Sequence, residues 1–441
     1  MMKKRSVGII GAGAAGLCAI RHFKDHSKLF DPIVCYEQTN LIGGTWNYVE
    51  DVGIDPQTNL PVHSSIYRDM RVNGPVQIMD FPDYPFQSVK SYTHHSDVLQ
   101  YLHDYSSRFN LYSFIRFGQH LKYVSREMDS WLIEVQDLKT GSIYKKLYDI
   151  LIVCPGRYSK PFWPSISTIS QFGGSLIHSH DYRTSEPYFG KRVAVIGAGP
   201  SGIDITLELS SLALEVFFIN NTANQFANLP KNVQQLKGEL YQFGHDSICI
   251  RYKETEIHLN MLDAIILATG YRLSLDYIDE SSCGIELNQD NTINGIYRHF
   301  INISHPTMAL LSICMPTLSF PLYHQQILYY IKLLNGEIYH PTKEEMISES
   351  EKDHEIRKTV LLYRDKDRHL LKNLQLLKNY FELIENDGQL KPIKPVVFSL
   401  LEYIVKTRNE NPIGYKEFNY RLVDDSSFQI IYDLIEDKIG G

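Results

Sequence analysis

What this chain lacks narrows its chemistry before any motif is read. Its six cysteines, Cys18, Cys35, Cys154, Cys249, Cys283 and Cys314, stand far apart. There is no C-x-x-C pair for dithiol redox work and no run with zinc-like ligand spacing, so neither a disulfide reductase nor a metal site is expected. Most of the cysteines fall in apolar runs, where a thiol acts as a small buried hydrophobe, and a reducing compartment is expected. Basic charge is in deficit: 44 Lys and Arg face 51 Asp and Glu, a net charge of −7. Binding by phosphate neutralisation needs the opposite balance, which argues against a nucleic-acid partner. No apolar run reaches the roughly 18 residues of a membrane span. The most apolar late stretch, VVFSLLEYIV, is short and carries Glu402. The first strand begins within about six residues of the start, leaving no room for a signal peptide. A cytoplasmic protein is expected, with a secreted form whose signal was trimmed left open. Repeats and low-complexity tracts are missing as well.

What is present is an ordinary globular composition, 43% hydrophobic and 22% charged over 441 residues, enough for two or three domains. SVGIIGAGAAGLCAIRHF followed by DPIVCYEQ reads as strand, glycine turn, helix and second parallel strand. Gly11, Gly13 and Gly16 stand in G-x-G-x-x-G order, and Glu37 follows about 20 residues on. The first glycine permits the tight turn, the second lets a pyrophosphate approach the backbone, and the third lets helix pack on strand. The helix N-terminus then offers unpaired N–H groups to phosphate, and Glu37 can accept from a ribose hydroxyl.

KRVAVIGAGPSGIDITLEL repeats the arrangement at Gly197, Gly199 and Gly202, with the strand LEVFFIN after it. Two such units imply two dinucleotides, one held and one exchanged. The apolar strands in YDILIVCPG (148–156) and LDAIILATG (262–270) can carry the chain between nested units. The expected fold is therefore α/β, with two nested Rossmann-like domains and C-terminal helical segments. Its parse is 1–157 for the first segment of the first domain, 158–263 for the inserted domain, and 264–441 for the returning segment plus helices. From about residue 336, apolar residues at helical spacing among mixed charges predict amphipathic helices that cover the sheet.

Between the two glycine loops stands FGGSLIHSHDYR, with Phe172, Gly174, His178 and Tyr182 in the order F-x-G-x-x-x-H-x-x-x-Y. This spacing resembles the identifying motif of the flavin-containing monooxygenases. The related Baeyer–Villiger enzymes usually end it in Trp. Further segments share the resemblance: YEQTNLIGGTWNY (36–48), RVNGPVQIMDFPDYPF (71–86), LATGYRLS (267–274) and SFPLYHQQ (319–326). It runs from about residue 5 to about 335 and is nearest to the shorter, insect-type members, some of which oxygenate plant alkaloids at nitrogen.

The resemblance implies an FAD enzyme consuming NADPH. A C4a-hydroperoxyflavin would transfer one oxygen to a soft N or S of a small lipophilic amine or sulfide, with molecular oxygen as co-substrate. A homodimer is in keeping with the family. The alternatives are an NADPH oxidase or Baeyer–Villiger-type flavoenzyme, and a flavin-binding protein without catalysis. By family position, FAD contacts are expected at Gly11, Gly13, Ala14, Ala15, Gly16, Glu37, Gln38, Gly44, Thr45, Trp46, Val72, Asn73, Leu121 and Gln326. NADP contacts are expected at Gly197, Gly199, Pro200, Ser201, Gly202, Ile203 and Asp204. Asn73 is singled out as catalytic, since an amide donates and accepts without titrating; VNGP also reads as a turn. Trp46 either packs on the isoalloxazine or fills core, and Asp204 either meets NADP or braces its helix. His178 is expected to be structural. Asn220, Asn221 and Thr222 follow the second unit's strand without an acid, which disfavours the usual NAD ribose contact. No arginine stands nearby for a 2′-phosphate, and Lys231 is only a loose substitute. Pro155, in CPG, departs from the family's usual Thr.

Overall fold

The computed structural model describes residues 3–432 apart from 89, 222–225, 227, 290–291, 315–317, 361–367 and 372. The first glycine turn joins β1 (Arg5–Ile10) to α1 (Ala14–Asp25), and β2 (Phe30–Tyr36) follows. β1 pairs in parallel with β2 on one side and with β3 (Ile150–Val153) on the other. Val7, Ile9 and all four residues of β3 are fully buried, as a parallel strand covered on both faces requires. Ile115–Arg116 adds an edge beyond β2, and Met308–Leu310 pairs in parallel with β3. Ile296–Tyr297 and Ile301–Asn302 finish that side as antiparallel strands. One face of this sheet shares a core with an antiparallel meander over 119–148, including Trp131, Val124 and Tyr36.

The second unit is built from β4 (Ser175–His178), β5 (Arg192–Ile196), α2 (Pro200–Leu209), β6 (Glu215–Asn220), β7 (Val233–Lys237) and β8 (Ala264–Leu267). All five strands are parallel, in the order β7-β6-β5-β8-β4. A three-stranded antiparallel sheet over 239–259 packs on one face through Phe243, Ile248 and Ile250. This arrangement moves the expected boundary at 263/264. β8 belongs to the inserted unit, between β5 and β4, and the return comes later. There Tyr271–Arg272 pairs antiparallel with Lys160–Pro161, so the outgoing and returning chains run side by side. An apolar run of four, AIIL, serves a strand of either sheet equally well, so composition alone could not place it.

The C-terminal region folds as α3 (Ser319–Leu334), α4 (Lys343–Val360), α5 (Leu374–Gly388) and α6 (Pro395–Glu410). Asn373 caps α5, its side chain accepting from Gln375 N and Leu376 N, which satisfies amides the helix cannot. Leu377, Tyr380, Phe381 and Ile384 of α5 and Leu400, Leu401 and Ile404 of α6 share one core with α1 and α3. A closing hairpin, Asn419–Leu422 with Phe428–Ile431, was not foreseen. No helix among the described residues is long and apolar enough to cross a membrane.

Candidate active site

The first glycine turn is a backbone-to-backbone construction. Gly11 has φ +93°, and a Cβ on Gly16 would fall 1.8 Å from the Gly11 carbonyl oxygen. A Cβ on Gly44 would stand 3.1 Å from Gly13 Cα, so two glycine stretches approach each other with no room for a side chain. α1 has no side-chain cap at its start, which leaves its first amides for an anion. Glu37 is buried at the end of β2. Its Oε2 accepts from Ala12 N at 2.8 Å, and its Oε1 accepts from Thr39 N and Oγ1 at 2.9 Å. A carboxylate offers about four acceptor sites, so the fixed oxygens can still take a ribose hydroxyl.

These residues open on a cavity of about 620 Å³. Gly11, Gly13, Ala14, Ala15, Glu37, Gln38, Gly44, Thr45, Trp46 and Leu121 all line it. Gly16 lies beneath, holding α1 on β1. Trp46 faces the cavity and packs edge-on against Phe320 at 6.5 Å between centroids. Leu121 lines the wall beside a register break between Leu121 and Tyr123. Burial pushes the Cys154 thiol well up and the His63 imidazole down, so both are neutral at pH 7. Arg157, missed from sequence, faces the same cavity, with no ion pair among the described residues. It sits just past Pro155, where the chain leaves the family pattern.

Three expected cofactor contacts are not brought to this cavity. The Val72 side chain is buried in the first core, and its N–H donates to Thr93 O at 3.0 Å. Gln326, 1% exposed, donates to the Tyr380 hydroxyl at 2.9 Å. Asn73 lies outside the lining, its Oδ1 accepting from Tyr415 OH at 3.3 Å. In each case the chain continues within hydrogen-bond reach of a partner that no local motif announces.

The second loop repeats the first. Gly197 has φ +119°, and a Cβ on Gly202 would lie 1.9 Å from Gly197 O. Gly199 and Pro200 are exposed, α2 has no side-chain cap, and proline suits the first helical position. Ser201 and Ile203, beside them, are partly exposed. Asp204 braces the helix: its Oδ2 accepts from Lys416 Nζ at 2.7 Å and Tyr67 OH at 2.9 Å. At the end of β6, Asn221 donates to Glu239 Oε1 at 2.6 Å. The acid missing from the local sequence is thus supplied from the next hairpin. Thr222 lies outside the described residues, and Lys231 is exposed.

The segment between the loops is a structural clamp. Its middle is β4, the edge strand of the second sheet. A Cβ on Gly174 would strike Asp263 O at 2.6 Å and the Phe172 ring at 2.8 Å. His178 is fully buried, and its Nδ1 accepts from His180 N at 3.0 Å. Burial and neighbouring His180 hold its pKa down to about 4, so it is neutral. Tyr182 packs against Tyr67 and Tyr188. Arg183 donates to five carbonyls, Val49, His180, Tyr182, Asp51 and Ser64, at 2.6–3.3 Å. Val49, Asp51 and Ser64 line the cavity, so the residue just after the motif ties the second unit to the wall of the first. Elsewhere, His22, Asp83 and His324 gather their ligating atoms within 4.8 Å. His22 Nε2 and His324 Nδ1 already share a hydrogen bond at 3.1 Å and Arg21 faces Asp83, so the group is satisfied without an ion.

With two glycine turns and the cavity at the first of them in place, the family comparison is decisive. The model of the flavin-binding monooxygenase-like family matches residues 3–232 and 229–423. The chain belongs to that family. This flavin-binding monooxygenase is 28% identical to senecionine N-oxygenase of Tyria jacobaeae, over 97% of this chain and 92% of that protein. It is 30% identical to the flavin-containing monooxygenase FMO GS-OX-like 7 of Arabidopsis thaliana, over 77% of this chain and 75% of that one. Among solved structures, S-allyl-L-cysteine S-oxygenase from Allium sativum superposes with a TM-score of 0.84. Its sequence identity is 26%, and the match covers 94% of this chain and 95% of that one. The family match makes it a flavin-binding enzyme. The Gly13–Gly44 approach, the uncapped α1 and buried Glu37 fit the pyrophosphate and ribose of FAD.

Proposed function

We propose that this monooxygenase transfers one oxygen atom to a soft nitrogen or sulfur of small lipophilic substrates, tertiary-amine alkaloids among them. The observation that carries this reading is the cavity wall. It pairs glycine backbone and aromatic surface with Cys154 and His63 held neutral, and among the described residues no serine or cysteine of the wall is hydrogen-bonded to a histidine of the wall. Such a wall suits a reaction whose hard step belongs to its cofactor. When bound, FAD accepts hydride from NADPH and makes dioxygen reactive toward soft nucleophiles.

The chain's own residues do the rest. Gly11, Gly13 and Gly44 give backbone access, Ala14 and Ala15 present helix amides to phosphate, and Glu37 takes the ribose. Gly197, Gly199 and Gly202, with Pro200, Ser201 and Ile203, do the same for NADPH. Trp46, Phe320 and Tyr323 keep that part of the wall apolar and exclude water, which strengthens every polar contact left inside. Asn73 is the amide we assign to oxygen transfer, on the strength of its place eight residues before FPDYPF.

The testing experiment mixes FAD-loaded enzyme with NADPH in aerated buffer, without substrate, and follows the flavin spectrum. A long-lived, blue-shifted spectrum, discharged by a tertiary amine or thioether with formation of its oxide, is the expected result. Immediate return to oxidised flavin with stoichiometric peroxide would mark an oxidase instead. No bleaching would remove NADPH from the account.

A further inference from the structure

Lys416 follows the last helix, far in sequence from either glycine loop, yet it stands between the two units. Its Nζ donates to Asp204 Oδ2 at 2.7 Å and to Arg71 O at 3.3 Å. The lysine and aspartate side chains are only 10% and 15% exposed. A lysine this deep needs a charged partner, and removing either partner strands the other. Asp204 lies in the first turns of α2, the helix that starts at the second glycine loop. Arg71 is two residues before Asn73.

The neighbours tighten the same junction. Arg71 donates through Nη1 to Glu417 Oε1 at 2.7 Å, through Nη2 to Lys416 O at 2.5 Å and through Nε to Tyr92 O at 3.0 Å. Tyr415 is buried, and its hydroxyl is the donor to Asn73 Oδ1. Three consecutive residues, Tyr415–Lys416–Glu417, therefore grip the 71–73 stretch with backbone and side chains. Lys416 alone also reaches the nucleotide helix.

We propose that Lys416 is a positioning residue that fixes α2 against the Asn73 segment, keeping reduction by NADPH coupled to oxygen transfer. The proposal rests on the oxygen-transfer reading above and adds to it a residue outside both glycine loops. Without Lys416, Asp204 would keep only its bond to Tyr67, the nucleotide helix would lose its direct tie to Arg71 and the Asn73 segment, and electrons would leave as hydrogen peroxide rather than in product.

The test compares wild type, Lys416→Met, Lys416→Arg and Tyr415→Phe, all FAD-loaded, by peroxide formed per NADPH consumed at saturating amine or thioether. Lys416→Met should raise that ratio several-fold and Lys416→Arg should restore most of the coupling. Tyr415→Phe keeps the ion pair and loses only the bond to Asn73, so it should leak to a smaller extent. It also serves if Lys416→Met does not fold. A purely structural lysine would lower folded fraction and total activity together and leave the ratio unmoved; that result overturns the proposal, as does wild-type coupling in both Tyr415→Phe and Lys416→Met. A wild type that NADPH does not reduce, or that makes no oxide, defeats the oxygen-transfer reading itself and this proposal with it.

Discussion

Gly202→Ala is the sharpest test of how the second dinucleotide is held. The helical backbone at this position tolerates any residue, so the cost is one of space. The new Cβ would lie 1.9 Å from Gly197 O and 2.9 Å from its carbonyl carbon, where ordinary contact begins at 3.4 Å. The helix start and the glycine turn must therefore part by about 1.5 Å, and neither atom belongs to a side chain that can rotate away. Overpacking typically costs about 1–3 kcal/mol, and this contact belongs at the upper end. At roughly 4 °C per kcal/mol for a unit of a little over 100 residues, the melting temperature should fall by about 12 °C. FAD should stay bound, because Gly11, Gly13 and Gly16 belong to the other sheet. Reduction by NADPH should slow at least about tenfold, while dithionite still bleaches the flavin. Gly199→Ala is the control, since nothing lies within 4 Å of its Cβ; it should keep the wild-type melting temperature. Differential scanning fluorimetry, flavin content and stopped-flow reduction read all three. A Gly202→Ala enzyme with wild-type stability and reduction rate would refute the packing argument, and one that lost FAD first would refute the independence of the two loops.

Asn73→Ala should retain FAD and lose most oxygen transfer; wild-type turnover, measured as oxide per NADPH, would sink its assignment. Glu239→Gln removes the carboxylate beside Asn221 and should raise the NADPH-to-NADH ratio of kcat/KM, because an acid there repels a 2′-phosphate and suits a free ribose. His178 binds no proton in the native state until about pH 4, whereas the unfolded chain takes one below about 6.5. Its contribution is therefore full at pH 7 and lost as pH falls through that window, by up to about 3 kcal/mol. His178→Gln should flatten the fall of melting temperature between pH 7 and 5 relative to wild type. Burial raises all six thiol pKa values, so native enzyme should react slowly with a thiol reagent that titrates six groups after denaturation.

The parts legible in sequence are those in which short-range geometry dictates residue type. Gly16 and Gly202 each sit under a carbonyl where only hydrogen fits, so the spacing announced both turns, and Glu37 stands where its strand ends. The unread parts depend on contacts distant in sequence. β8 was assigned to the wrong unit because four apolar residues do not say which sheet they complete. Asp204 reads in sequence as either an NADP contact or a helix brace, because its partner Lys416 lies in a segment with no motif. Glu239 escaped notice for the same reason, since it arrives by way of a neighbouring hairpin. Arg183 stood in plain view just past the inter-loop motif, but five carbonyls converging on one guanidinium leave no periodic trace.

The side-by-side pairing of Lys160–Pro161 with Tyr271–Arg272 bears on how the chain finds its shape. Leu310 must pair with Val153 across the whole inserted unit, a long loop to close if that unit were still unfolded. Its two ends emerge together, so once the insert has folded by itself the search is shortened to the span of a tight turn. Loop-closure entropy rises only slowly with length, but a preformed insert also removes competing strands from the search. The inserted unit should therefore acquire protection from hydrogen exchange before the last strand of the host sheet, and replacing 162–270 with a short turn should leave a host that still folds around FAD.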